Sequence, residues 1–150
     1  MEQLTILDRA IRLQKVELFS ELDTELLALI GSVAEQIRVE AGDTLIAQGG
    51  SLDALYVVLA GSIQMRRDGK ALFTVGRGDT IGNWALFDRQ PSVVTAVAVE
   101  QTWLLQIDRE AFYDLLADHP EMTRELFFAL FKRVRSLLSL GINTPSNPAS

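Results

Sequence analysis

Ile81-Gly82-Asn83-Trp84-Ala85-Leu86-Phe87-Asp88-Arg89-Gln90-Pro91-Ser92-Val93-Val94 is the stretch on which the reading of this chain turns. It opens with a glycine that frees backbone N–H groups, runs through a short helix-competent segment and closes on a proline turn. Such a segment forms a concave nest of N–H groups suited to an anion. For Gly82 with Asn83 two readings stay open: a working anion nest, or only the turn the chain needs to change direction.

On either side of this stretch the pattern is that of strands. Leu55-Tyr56-Val57-Val58-Leu59 is a continuous apolar run, the mark of a strand buried on both faces. Ile63 to Arg66 and Leu72 to Val75 flank Asp68-Gly69, a strong two-residue hairpin signal. Gly42-Asp43 and Gly49-Gly50 punctuate the short apolar pieces Ile37-Val39 and Thr44-Ala47. After the stretch, Val93 to Val99 and Trp103 to Ile107 alternate around Glu100-Gln101, which reads as a second hairpin.

Helical periodicity brackets the strands. Leu4, Ile6, Leu7, Ala10, Ile11 and Leu13 give an amphipathic helix over Leu4–Val16, and Asp23 caps a second helix carrying Leu26, Leu27, Leu29, Ile30 and Val33. Asp108 caps a helix from Arg109 to Ala117, and Pro120 starts a long one, Glu121 to Leu140. Its stripe is Met122, Leu126, Phe127, Leu130, Phe131, Val134, Leu137 and Leu138. His119 reads as part of that helix start, and Lys132, Arg133 and Arg135 as a solvated face near a helix C-terminus. Residues 1–140 make one domain, and 141–150, rich in proline and small polar residues, read as a disordered tail. The expected fold is α+β and mainly β: an antiparallel β-roll or jelly-roll barrel, with N-terminal helices and two C-terminal helices flanking it.

Composition removes several classes of function. A net charge of −6 opposes the broad basic face that phosphate backbones require, so nucleic acid is not an expected partner of this chain alone. No cysteine and a single histidine rule out thiolate chemistry and His-rich metal sites, including a metal-dependent β-barrel enzyme. No apolar run reaches the ~20 residues of a membrane span, and the acidic start is unlike a secretory signal. A cytoplasmic, non-enzymatic module, or one domain of a longer polypeptide, is expected.

The order of these pieces resembles the cyclic-nucleotide-binding domain family, the β-roll module of catabolite-activator-like regulators, kinase regulatory subunits and gated channels. The resemblance rests on Leu18-Phe19 with Leu22, Gly42-Asp43 with Ile46 and Gly49, Asp53 to Val58 through Gly61, and Gly78-Asp79 leading into Gly82, Ala85-Leu86 and Pro91. It covers about Leu4 to Leu138.

What the resemblance implies for the ligand is specific. The family's phosphate-binding cassette reads Gly-Glu-apolar-Ala-Leu and later Pro-Arg-Ala or Pro-Arg-Ser, the Glu holding a ribose hydroxyl and the Arg the cyclic phosphate. Here the Glu position is Asn83, the Arg position is Ser92 and the small residue after it is Val93. Gly82 and Ala85 keep the frame, and Arg89 is the one cation in the loop that could substitute, against the usual outward orientation of loop arginines. Trp84 either stacks on a base or fills the space a ligand would use, and filling is the expected role.

The implied function is a regulatory, ligand-sensing module whose altered cassette binds cyclic AMP or cyclic GMP weakly, or takes another small ligand. The alternative is a ligand-free β-roll scaffold for dimerisation or protein interaction, with Trp84, Val93 or their neighbours filling the pocket. Either form is compatible with a homodimer through the 121–140 helix.

Overall fold

The computed structural model describes residues 1–142; of the tail expected over 141–150, residues 141 and 142 belong instead to the last helix and 143–150 lie outside the described residues. Two helices open the chain, α1 (Ile6–Gln14) and α2 (Thr24–Val33), with a 3₁₀ turn at Glu17–Phe19 between them. Eight strands follow: β1 (Glu35–Val39), β2 (Thr44–Ile46), β3 (Ala54–Ala60), β4 (Ile63–Arg67), β5 (Lys70–Val75), β6 (Thr80–Ile81), β7 (Thr95–Ala98) and β8 (Thr102–Asp108). Helices α3 (Arg109–Asp118) and α4 (Pro120–Ile142) close it, so the last helix runs beyond the expected Leu140.

The strands form two four-stranded antiparallel sheets, ordered β1-β8-β3-β6 and β2-β7-β4-β5. This is the expected β-roll, with the two sheets remaining separate layers and no barrel closure. β3 explains why the roll has two cores. Its Leu55, Val57 and Leu59 pack with Leu105, Ile107 and the helices, whereas Val58 on the opposite face joins Ile63, Met65, Val75, Ala96 and Leu104 in the roll interior. One strand buried on both faces therefore serves both layers, as the apolar run predicts.

Local signals are obeyed where they are purely local. Asp68 (φ 53°) and Gly69 (φ 79°) make the left-handed two-residue turn joining β4 to β5. Asp23 accepts the N–H of Leu26 at 2.9 Å, and Thr5 with Asp8 forms a capping box on α1 that shortens the expected helix at its start.

Several expectations are corrected. β7 and β8 do not form a hairpin: β7 pairs with β2 and β4, β8 with β1 and β3, and the chain changes sheets at Val99–Gln101. The Thr102 hydroxyl fixes this crossing by donating to Glu100 O (2.9 Å) and Ser62 O (3.1 Å) and accepting Ser62 N–H (3.1 Å). Alternation marks strands but does not choose their partners. The α1 stripe is only half used, because Ala10 and Leu13 are buried while Ile6, Leu7 and Ile11 are exposed. On α4, Met122 and Leu126 are buried and Leu130 partly so, but Phe127, Phe128, Phe131, Val134, Leu137 and Leu138 are exposed. Of the basic residues expected to be solvated there, Lys132 pairs with Glu21 (3.5 Å) and Arg133 with Glu17, tying α4 to the 3₁₀ turn.

Candidate functional site

Gly82 sets the geometry of the loop between β6 and β7. Its φ is 76°, and an added Cβ would lie 2.8 Å from Ala54 O, so the backbone of the loop is laid directly on β3. Ala85 N–H then donates to Gly82 O (2.9 Å), and Phe87 and Asp88 N–H both donate to Trp84 O (3.0 and 2.7 Å). The segment expected to be helix-competent is thus a pair of overlapping turns, not a helix. Among the described residues the N–H groups of Asn83, Trp84 and Leu86 meet no acceptor, which is the condition for an anion nest.

Inside this frame the side chains divide. Ala85 and Leu86 point inward and are buried, which leaves Trp84 between the turn and solvent at 53% exposure. Val93 is 61% exposed. Neither fills the roll, so the pocket-filling expectation for Trp84 and Val93 is overturned: two successive inward positions are already taken by Ala85 and Leu86. Asn83 is exposed and its Oδ1 accepts from the Thr80 hydroxyl at 2.5 Å.

Ser92 is 5% exposed and satisfied locally. Its hydroxyl donates to Val94 O (2.7 Å) and accepts Val94 N–H (3.2 Å), while its backbone pairs with Gly49 N–H (2.7 Å) and Gly50 O (2.9 Å). Arg89 is exposed and lines a cleft with Asp53, Asp108, Arg109, Glu110 and Tyr113. Three of its neighbours in that lining, Asp53, Asp108 and Glu110, are carboxylates. The carboxylates of Asp53 and Asp108 also act on Tyr56, whose pKa is raised above the ordinary 10.0 first by burial and then by these two charges.

The residue sequence reasoning missed is Arg109. Its guanidinium, on a side chain 12% exposed, donates from Nε to Ala85 O (2.7 Å) and from Nη2 to Leu52 O (2.8 Å) and Asp88 O (3.0 Å), with Nη1 3.4 Å from the Asp53 carboxylate. Its own N–H donates to Asp53 O at 2.8 Å. One side chain thus binds the cassette to the loop before β3 and to the start of α3. A signal was present: a cation in the first turn of a helix opposes the macrodipole, so it is placed there for a tertiary contact. Phe87 adds an apolar link, packing edge-on against Phe112 of α3 at 6.0 Å, and Phe112 lies 6.0 Å from Phe19 of the 3₁₀ turn.

A β-roll with a glycine-opened loop clamped to the helix that follows the last strand is the architecture of a cyclic-nucleotide-binding domain. Residues 36–119 match the cyclic nucleotide-binding domain family, more than half of the chain, and the chain belongs to that family. Among its relatives, a cAMP-dependent protein kinase regulatory subunit of Yarrowia lipolytica is 29% identical over 83% of this chain and 33% of its own length. A CRP-like cAMP-activated global transcriptional regulator of Mycobacterium tuberculosis is 26% identical over 82% of this chain and 57% of its own. The chain therefore spans between a third and somewhat over half of these relatives. The N-terminal domain of a transcriptional regulator from Streptomyces coelicolor A3(2) superposes with a TM-score of 0.76 at 31% identity, covering 84% of this chain and 94% of that one. No helix among the described residues is long and apolar enough to cross a membrane.

Proposed function

We propose that this chain is a regulatory ligand-sensing module whose cassette binds cyclic AMP or cyclic GMP weakly, or accepts another small ligand, through the loop that carries Gly82, Asn83, Trp84, Ala85, Arg89, Ser92 and Val93. The observation that carries this reading is the state of Ser92: buried, neutral, and with its hydroxyl committed to Val94. An arginine–phosphate pair in such a setting contributes ~2–3 kcal/mol, roughly a 30- to 150-fold change in affinity. The free N–H groups of Asn83, Trp84 and Leu86 supply an anion cradle without that cation. Occupancy would be transmitted through Arg109 and the Phe87–Phe112–Phe19 contacts to α3 and α4, as a shift between two helix arrangements. Calorimetry with cyclic AMP and cyclic GMP tests the reading: weak or absent binding is expected, and a dissociation constant below ~10 µM would overturn it.

A second reading, a scaffold for self-association, is favoured by α4. Phe127, Phe131, Val134 and Leu138 recur at spacings of four, three and four along its exposed side, a heptad seam with no partner within the described chain. Phe127 and Phe131 are already stacked at 6.3 Å. We infer a homodimer through the 121–140 helix. Sedimentation of the Phe127→Glu/Val134→Glu variant should give monomers where the wild type gives dimers, with the thermal midpoint of the monomer nearly unmoved; a wild-type monomer at ~100 µM would contradict it.

A further inference from the structure

The chain is acidic, yet three of its cations line one cleft that has no acid in its lining. Arg12 and Lys15, at the end of α1, and Arg77, in the turn between β5 and β6, line a cleft of about 350 Å³ whose remaining walls are Ile11, Val57 and Gly78. Among the described residues none of the three lies within ion-pair distance of a carboxylate. Of the two acids nearest in sequence, Asp79 turns its carboxylate back onto Gly76 N–H at 2.9 Å, and Glu17 pairs with Arg133. The α1 macrodipole accounts for Arg12 and Lys15 but not for Arg77, which comes from an element more than sixty residues on. Three like charges around one concavity repel each other, and a bound dianion would reverse the sign of that interaction.

We propose that this cleft binds a phosphoryl dianion, inorganic or carried on a nucleotide, with Arg12, Lys15 and Arg77 as its ligands. Two planar guanidinium forks and one ammonium suit the several oxygens of a phosphoryl group. The place in the fold gives the site a consequence. Gly78 N–H donates to Val58 O (2.8 Å) and Asp79 O accepts Val58 N–H (2.9 Å), so the turn bearing Arg77 is clamped to β3. Two residues of β6 then lead straight into Gly82. An anion in the cleft joins α1 to the strand that feeds the cassette, making it an effector site separate from the cassette itself.

Titration of the ¹⁵N-labelled chain with pyrophosphate and, in a second arm, with ATP tests this by following the amide signals of residues 11–15 and 76–79. Both should shift those signals, and Arg77→Ala should weaken binding by roughly tenfold. Raising the salt should weaken it further. Equal affinities in the two arms identify the phosphoryl group alone as the ligand, and tighter binding of ATP identifies a nucleotide carrier. Absence of shifts up to ~10 mM pyrophosphate, or the same shifts in Arg12→Ala/Lys15→Ala/Arg77→Ala, would overturn the proposal.

Discussion

From Gly82 to Asp88 the cassette is held by main-chain groups: Gly82 lies on Ala54 O, the carbonyls of Gly82 and Trp84 close the turns, and Arg109 grips the carbonyls of Ala85 and Asp88. From Arg89 to Val94 the side chains would have to supply recognition, and there Arg89 and Val93 face solvent while Ser92 bonds to its own neighbourhood. The difference teaches why a fold of this kind outlasts a change in its chemistry. Contacts to carbonyls ask nothing of the side chains on the residues that own them, so Asn83 and Ser92 are free to differ from the family pattern without loosening the loop.

The comparison breaks most directly at Arg109. Replacing it with alanine leaves the carbonyls of Leu52, Ala85 and Asp88 without their donor in a largely buried setting, and a loss of ~3 kcal/mol is expected in denaturant unfolding. Arg109→Lys should recover only a small part, since an ammonium cannot span the fork. An Arg109→Ala protein as stable as the wild type would show that the first half does not depend on this clamp. Gly82→Ala comes next, at ~2 kcal/mol, from a left-handed φ and a Cβ 2.8 Å from Ala54 O. No comparable cost is expected at the exposed Val93, where alanine should stay within ~0.5 kcal/mol.

How far this was legible follows the range of the interactions. The two-faced burial of β3, the Asp68-Gly69 turn and the caps at Asp23 and Asp108 depend on neighbours in sequence and are read from it directly. Arg109 reaches across 21 to 57 residues, which no periodicity encodes, and the sheet change between β7 and β8 is fixed by Thr102 against Ser62, forty residues apart. Trp84 failed for another reason. Hydrophobicity favours burial on average, but in a tight turn the backbone decides which residues face inward, and those are Ala85 and Leu86. The departure of Asn83 and Ser92 from the family's cassette pattern is read from the sequence through the resemblance, while the commitment of the Ser92 hydroxyl to Val94 required coordinates.

The central claim is that the backbone half of a nucleotide site persists and only its charged contacts are gone. The Asn83→Glu/Ser92→Arg variant, first shown by circular dichroism to be folded, tests it by calorimetry with cyclic AMP. The account predicts affinity at least roughly 100-fold tighter than wild type, reaching the low-micromolar range. A folded double variant that binds cyclic AMP no better than the wild type would contradict it.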